Sequence, residues 1–135
     1  MKHQLNPDNF TKAMGAYSHG LSVEVGNAVM IFVTGQIAMD PDGNAVAPGN
    51  ITKQTEYVFE NISKILHEGS ATLDDVVKAV IYVTNMDDFK EISLVRNKYF
   101  KNSKPVSTLV EISKTVKDGC DVEIEVIAVR KNARK

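Results

Sequence analysis

What the chain has little of narrows it first. Cys120 is the one cysteine in 135 residues, so no disulfide can close within it. That composition suits a reducing compartment. Histidine is sparse too. His3, His19 and His67 lie far apart in sequence, and a metal site needs converging nitrogen, sulfur or oxygen donors, so no metal is expected. An excess of charge of one sign is missing: 16 basic residues stand against 17 acidic ones, a formal net charge of −1. Such a balance offers no field for a phosphate backbone, which disfavours nucleic acid as a partner. The one basic cluster is Arg130, Lys131, Arg134 and Lys135, read as a solvated tail over 130–135. No apolar run approaches the roughly 20 residues of a membrane span. The opening MKHQLNPDNF is polar and lacks the apolar stretch of a signal peptide. A cytoplasmic protein with no membrane partner is the expectation. There is no P-loop, GxGxxG, HExxH or paired CxxC, so no motif of high specificity is present.

What is present patterns as one α+β domain over residues 1–135. LSVEV (21–25) alternates, Gly26–Asn27 can turn, and AVMIFVT (28–34) runs apolar, which is a hairpin signature. Asp40-Pro41-Asp42-Gly43-Asn44 is a dense turn signal. Asn50 can cap a helix whose apolar stripe is Ile51, Thr55, Val58, Ile62, Ile65 and Leu66, with Gly69 closing it. Thr72–Asp75 fits a capping box for a single turn. VVKAVIYV (76–83) is β-branched and apolar enough for mid-sheet. Asp87 or Asp88 is the expected cap of a second helix with Phe89, Ile92, Arg96, Tyr99 and Phe100 near one stripe. PVSTLVEIS (105–113) and DVEIEVIAV (121–129) alternate as strands. The order is β-β-α-β-α-β-β, with both helices on one face of a mixed sheet. The strands are apolar on both sides, so the other face calls for a second burying surface, most economically more copies of the chain.

Few residues offer chemistry. Glu123 and Glu125 share one face of the last strand; they are either solvated or sit at a cleft, where a carboxylate can orient and deprotonate water. Glu111 has the same two readings, the structural one being preferred. Tyr17, in AMGAYSHG, either pins a small-residue loop or lines a pocket with its ring and hydroxyl. Thr34-Gly35 ends the apolar strand, and the glycine permits close approach of a ligand or another chain segment. Cys120 has no local nucleophile signature.

Six segments in order, AMGAYSHG, VTGQIAMDPDGN, QTEYVFENISKIL, DDVVKAVIYVTNMDDF, KPVSTLVEI and VEIEVIAV, resemble the Rid family, also called YjgF-like or endoribonuclease L-PSP. The match runs over about residues 13–129. The resemblance implies a chorismate-mutase-like fold and a homotrimer whose sheets form a central β-barrel. Small ligands would bind in clefts between subunits. RidA-type members hydrolyse enamines and imines such as 2-aminoacrylate to 2-keto acids and ammonia without a cofactor. Carried over by position, Tyr17 matches the pocket tyrosine, Thr34 and Gly35 the small Ser-Gly pair, and Glu123 the carboxylate that positions water. Two positions depart. The pocket asparagine of the second helix is Ser93, and the arginine of PARSxVEV, which clamps a substrate carboxylate, is Ser107. Arg96, three residues after Ser93, is the candidate for a replacement guanidinium. The expectation is a small-molecule site, deaminase-like in chemistry but not a standard 2-aminoacrylate deaminase. A metabolite-binding module without turnover is the alternative, and RNA cleavage or translation inhibition is disfavoured by charge.

Overall fold

The computed structural model describes residues 1–132. Six strands form one mixed sheet in the order β1-β2-β3-β6-β4-β5. β2 (Gly20–Val25) and β3 (Ala28–Ile37) make the expected hairpin, with Gly26 at φ +60° in its turn. β6 (Val122–Lys131) pairs antiparallel with both β3 and β4 (Val76–Val83), and β5 (Val106–Glu111) lies parallel to β4 at the edge. α1 (Ile51–Glu68) links β3 to β4, and α2 (Phe89–Tyr99) is the crossover that a parallel β4–β5 pair requires.

The sequence pattern misses one strand. β1 (Lys2–Leu5) pairs antiparallel with β2 at the other edge. Only Leu5 of its four residues is buried, so the segment carries no apolar alternation to betray it.

Both helices lie on one face. Val58, Phe59, Ile62, Ile65 and Leu66 of α1, with Ile92 and Val95 of α2, pack on Ile31, Val33, Ala79, Ile81, Ile124 and Val126 of the sheet. Phe59 stacks on Tyr99 at 4.8 Å and meets Phe100 edge-on at 5.1 Å, which ties the helices together. Phe89, expected in the α2 stripe, is instead exposed, and Val95 takes the buried place. The opposite face carries Phe32, Val80, Ile127 and Val129. Phe32 there is 38 % exposed, so this face keeps apolar surface in water.

Local signals hold in most places. Asn50 Oδ1 accepts from Lys53 N at 3.1 Å. The Thr72–Asp75 capping box forms, with Thr72 N donating to Asp75 Oδ2 at 2.9 Å. The Asp40–Asn44 turn closes through Asp40 Oδ1, which accepts from Asp42 N and Asn44 N. Three expectations need correction. Gly69 keeps a negative φ, and Ser70 takes the left-handed position at φ +59°. Ala71 N donating to Leu66 O and Ser70 N to His67 O complete that Schellman end. Gly69 is needed for space: a Cβ there would lie 2.8 Å from Ile31 Cδ1. The cap before α2 is Asn85, whose side chain accepts from Asp87 N over a 3₁₀ turn at Met86–Asp88; Asp88 makes no side-chain cap bond. Finally, Arg130 and Lys131 belong to β6, and Arg130 Nε donates to Gly69 O at 2.8 Å, so they are not a solvated tail. Arg134 and Lys135 lie outside the described residues.

Candidate functional site

The pocket grows from a break in the ladder. The register of β3 against β6 shifts between Val33 and Gln36, which frees Thr34 and Gly35 from regular pairing. Thr34 turns instead to the loop before β2: its N donates to His19 O at 2.8 Å and its hydroxyl to Ser18 O at 2.7 Å. Gly35 faces Glu123. A Cβ on residue 35 would stand 3.0 Å from Glu123 Cγ and Cδ and closer still to Oε2. Glycine at 35 is therefore what lets the carboxylate lie where it does.

The loop over residues 11–19 is fixed by bonds no motif announces. Gln36 Nε2 donates to Thr34 O at 3.0 Å and to His19 Nδ1 at 3.2 Å. The other ring nitrogen, His19 Nε2, bonds to Thr11 O. A carbonyl only accepts, so Nε2 carries the proton and Nδ1 accepts. The Thr11 hydroxyl lies 2.9 Å from both Met39 O and Asp40 O. Phe10 meets the His19 ring edge-on at 4.8 Å. Tyr17 is held by Met14 N, which donates to its hydroxyl oxygen at 3.2 Å.

Between this loop, the end of β3 and the start of β6 lies a cavity of about 320 Å³. Tyr17, Thr34, Gly35 and Glu123 all line it, so four of the seven sequence-derived candidates meet in one chain. Lys12, His19, Gln36 and the apolar Met14, Met39 and Val116 line it as well. Burial pushes the Glu123 carboxyl above its ordinary pKa, and the neighbouring Glu125 adds to the shift. Glu125 is itself engaged, accepting from the Tyr82 hydroxyl at 2.8 Å. A half-buried carboxyl with a raised pKa, beside an open cavity, can both take a proton from water and return one.

The other three candidates lie elsewhere. Ser107 pairs with Ala79 on the helix-bearing side of the sheet and lines a separate cleft of about 660 Å³ with Arg96, Lys101 and Lys104. Arg96 Nε and Nη2 donate to Asn97 Oδ1 at 3.2 and 3.1 Å. Ser93 lines neither space, and its buried Oγ has no hydrogen-bond partner among the described residues. Glu111 is structural, as preferred: its Oε1 accepts from Met86 N at 2.8 Å ahead of α2. Burial pushes the Cys120 thiol pKa up, and Sγ donates to Ala38 O at 3.3 Å, so it is not an activated nucleophile. Among the described residues no three His, Cys, Asp or Glu side chains group to hold a metal ion. No helix among them is long and apolar enough to cross a membrane.

Sequence reasoning missed Lys12, His19 and Gln36. Their places depend on contacts between the loop, β3 and β6 that no local pattern encodes. The one available signal was position: all three flank the small-residue loop or the Thr34-Gly35 pair.

The chain resembles known proteins over nearly its whole length. The family model described as Endoribonuclease L-PSP matches residues 8–130. A RutC family protein of Pyrococcus abyssi is 42% identical over 119 residues, spanning 88% of this chain and 90% of that one. A 2-iminobutanoate/2-iminopropanoate deaminase of Capra hircus is 31% identical over 118 residues, spanning 87% of this chain and 82% of its own. A solved Thermotoga maritima structure superposes with a TM-score of 0.84 at 39% identity, over 97% of this chain and 99% of that chain. Family model, relatives and fold agree, and the chain belongs to the endoribonuclease L-PSP family, also called the Rid or YjgF-like family.

Proposed function

We propose that the cavity beside Glu123 binds a small imine or enamine and hydrolyses its C–N bond. The position and environment of Glu123 carry this reading. The carboxylate takes a proton from water as the new C–O bond forms at the electrophilic carbon. The C=N π pair moves to nitrogen. The carboxyl returns that proton to nitrogen, giving a carbinolamine; it then takes the carbinol O–H proton and passes it to the amino nitrogen, and as the freed oxygen pair closes the carbonyl the C–N bond breaks and ammonia leaves. Tyr17 and the Thr34-Gly35 edge shape the wall on which the substrate lies. The deaminase name of the Capra hircus relative supports this chemistry. Ser107 argues against 2-aminoacrylate as the standard substrate, because a hydroxyl cannot supply a fixed charged fork for a carboxylate.

The working unit in this proposal is a homotrimer, with Phe32, Ile127 and Val129 buried in a central barrel and the cavity closed by a neighbouring copy. The apolar character of that sheet face supports it. A second reading, a metabolite-binding module without turnover, has its own support in Ser93 and Ser107, which stand where the family resemblance implies asparagine and a charged arginine.

Imines generated in situ from a panel of amino acids by an amino-acid oxidase test the enzyme reading. Wild type is expected to accelerate ammonia and 2-oxo acid release, and Glu123→Ala to abolish the acceleration. Ser107→Arg reports whether a clamp at that position widens the substrate range to 2-aminoacrylate. No acceleration by wild type across the panel overturns the enzyme reading. A thermal shift with 2-oxo acids under those conditions, since a ligand binding only the native state raises Tm, would then favour the binding module.

A further inference from the structure

The cavity beside Glu123 contains one ammonium and one carboxylate, and their relation says what ligand it takes. Most side-chain donors in the lining are committed. The Thr34 hydroxyl donates to Ser18 O, the Thr11 hydroxyl faces Met39 O and Asp40 O, Gln36 Nε2 serves Thr34 O and His19 Nδ1, and His19 Nε2 serves Thr11 O. Two donors remain. The Tyr17 hydroxyl accepts from Met14 N and keeps its proton to give. Lys12 makes no hydrogen bond or ion pair among the described residues and is the one cation in the lining.

Electrostatics makes Lys12 more than a spare donor. An anionic ligand beside Glu123 would be repelled by its carboxylate unless a cation shares the space. The loop that carries Lys12 is not free to wander, because Thr11, immediately before it, is held from three sides. A second cavity of about 280 Å³ shares Thr11, Lys12, Met14, Met39 and Val116 with the first and continues outward to Lys117, with Asp42 on its far wall. Lys12 therefore stands at the junction. Around it Met14 is 66 % and Val116 79 % exposed, apolar surface that a ligand's aliphatic chain would cover.

We propose that Lys12, rather than position 107, is the residue that meets the carboxylate of a ligand in this pocket. The carboxylate meets Lys12, the reacting carbon faces Glu123, and the aliphatic chain lies along Met14, Met39 and Val116. This rests on the pocket assignment above and names the residue that would decide whether an anion is accepted. It also moves the clamp from strand β5, where Ser107 stands, to the loop before β2.

The test is calorimetric affinity for a branched 2-oxo acid and for its neutral primary amide, read on wild type, Lys12→Gln, Lys12→Arg and Arg96→Gln. Wild type should prefer the acid by about tenfold or more, the range of a hydrogen bond to a charged group. Lys12→Gln should lose that preference with amide affinity unchanged, and Lys12→Arg should restore it. Lys12 is exposed and packs into no core, so these variants leave folding intact. If Lys12→Gln keeps the preference while Arg96→Gln loses it, the clamp lies in the other cleft; the inference falls and the pocket assignment stands. Equal affinity of wild type for acid and amide overturns the inference alone. If neither ligand binds wild type, the pocket assignment itself fails.

Discussion

Replacing Gly35 with alanine is the sharpest way to disturb the pocket without touching its charged groups. The added Cβ would stand 3.0 Å from Glu123 Cγ and Cδ, where ordinary contact begins near 3.4 Å, and nearer still to Oε2. The main chain of β3 is held by its neighbours, so Glu123 must give way by swinging its carboxyl out of the space glycine leaves. Overpacking a core costs about 1–3 kcal/mol. Here the yielding atoms are the end of a flexible side chain, so the stability loss should stay below about 1 kcal/mol. The functional loss should be larger, because a misplacement of about 1 Å in a reacting group costs on the order of a hundredfold. The carboxyl should also return toward its ordinary pKa of about 4.3 as burial is relieved. Carbon-13 titration of the Glu123 carboxyl and imine turnover read the two effects. A Gly35→Ala protein should lose about two decades of kcat/KM, and adding Glu123→Gln should cost little more, since both act through one carboxylate. Unchanged titration together with unchanged turnover in Gly35→Ala would refute the close coupling of these two residues.

Three further outcomes follow from the same geometry. Glu123 has a raised native pKa, so the native state holds a proton that the unfolded chain has released. Its stabilising contribution is full below the unfolded value, near 4.3, and is lost as pH rises through the native value. Glu123→Gln should therefore gain stability relative to wild type as pH climbs through that window, and denaturant melts at several pH values check this. Gln54 is fully buried in α1, donates through Nε2 to Val46 O at 3.0 Å and to Gly119 O, and accepts through Oε1 from Asp121 N at 3.0 Å. Gln54→Leu leaves all three main-chain groups unmet and should cost about 3 kcal/mol in chemical denaturation; a loss under 1 kcal/mol would mean water replaces the amide. Phe32→Glu places a charge on the apolar sheet face, and sedimentation should show the proposed trimer reduced to monomer; an unchanged mass would place the subunit contact elsewhere.

How much of this was legible in the sequence depends on the range of each interaction. α1 carries its stripe and its Asn50 cap locally, and the β2–β3 hairpin carries its turn, so both stand where the pattern puts them. β1 was invisible because an edge strand with one buried residue has no alternation. The α2 cap was misplaced because the chain adds a 3₁₀ turn first, letting Asn85 act where Asp87 or Asp88 was expected. Tyr17, Thr34, Gly35 and Glu123 line one cavity because the bulge in β3 turns Thr34 and Gly35 toward the loop before β2 and the start of β6. His19 and Gln36 could not be read, since the bonds that bring them together span 8 and 17 residues, and Lys12 could not, since only the folded loop brings it to the cavity wall. Arg96 and Ser107 do meet, but in a cleft apart from Glu123 within one chain.

The central claim is that Glu123 moves the protons of C–N hydrolysis in this cavity. Steady-state kcat/KM for ammonia release from a branched 2-imino acid, measured for wild type and Glu123→Gln beside calorimetric affinity for the 2-oxo acid product, tests it most directly. The account predicts a loss of about a hundredfold or more in kcat/KM, the usual contribution of a general acid–base group, with product affinity retained. Equal turnover by the two proteins would contradict it.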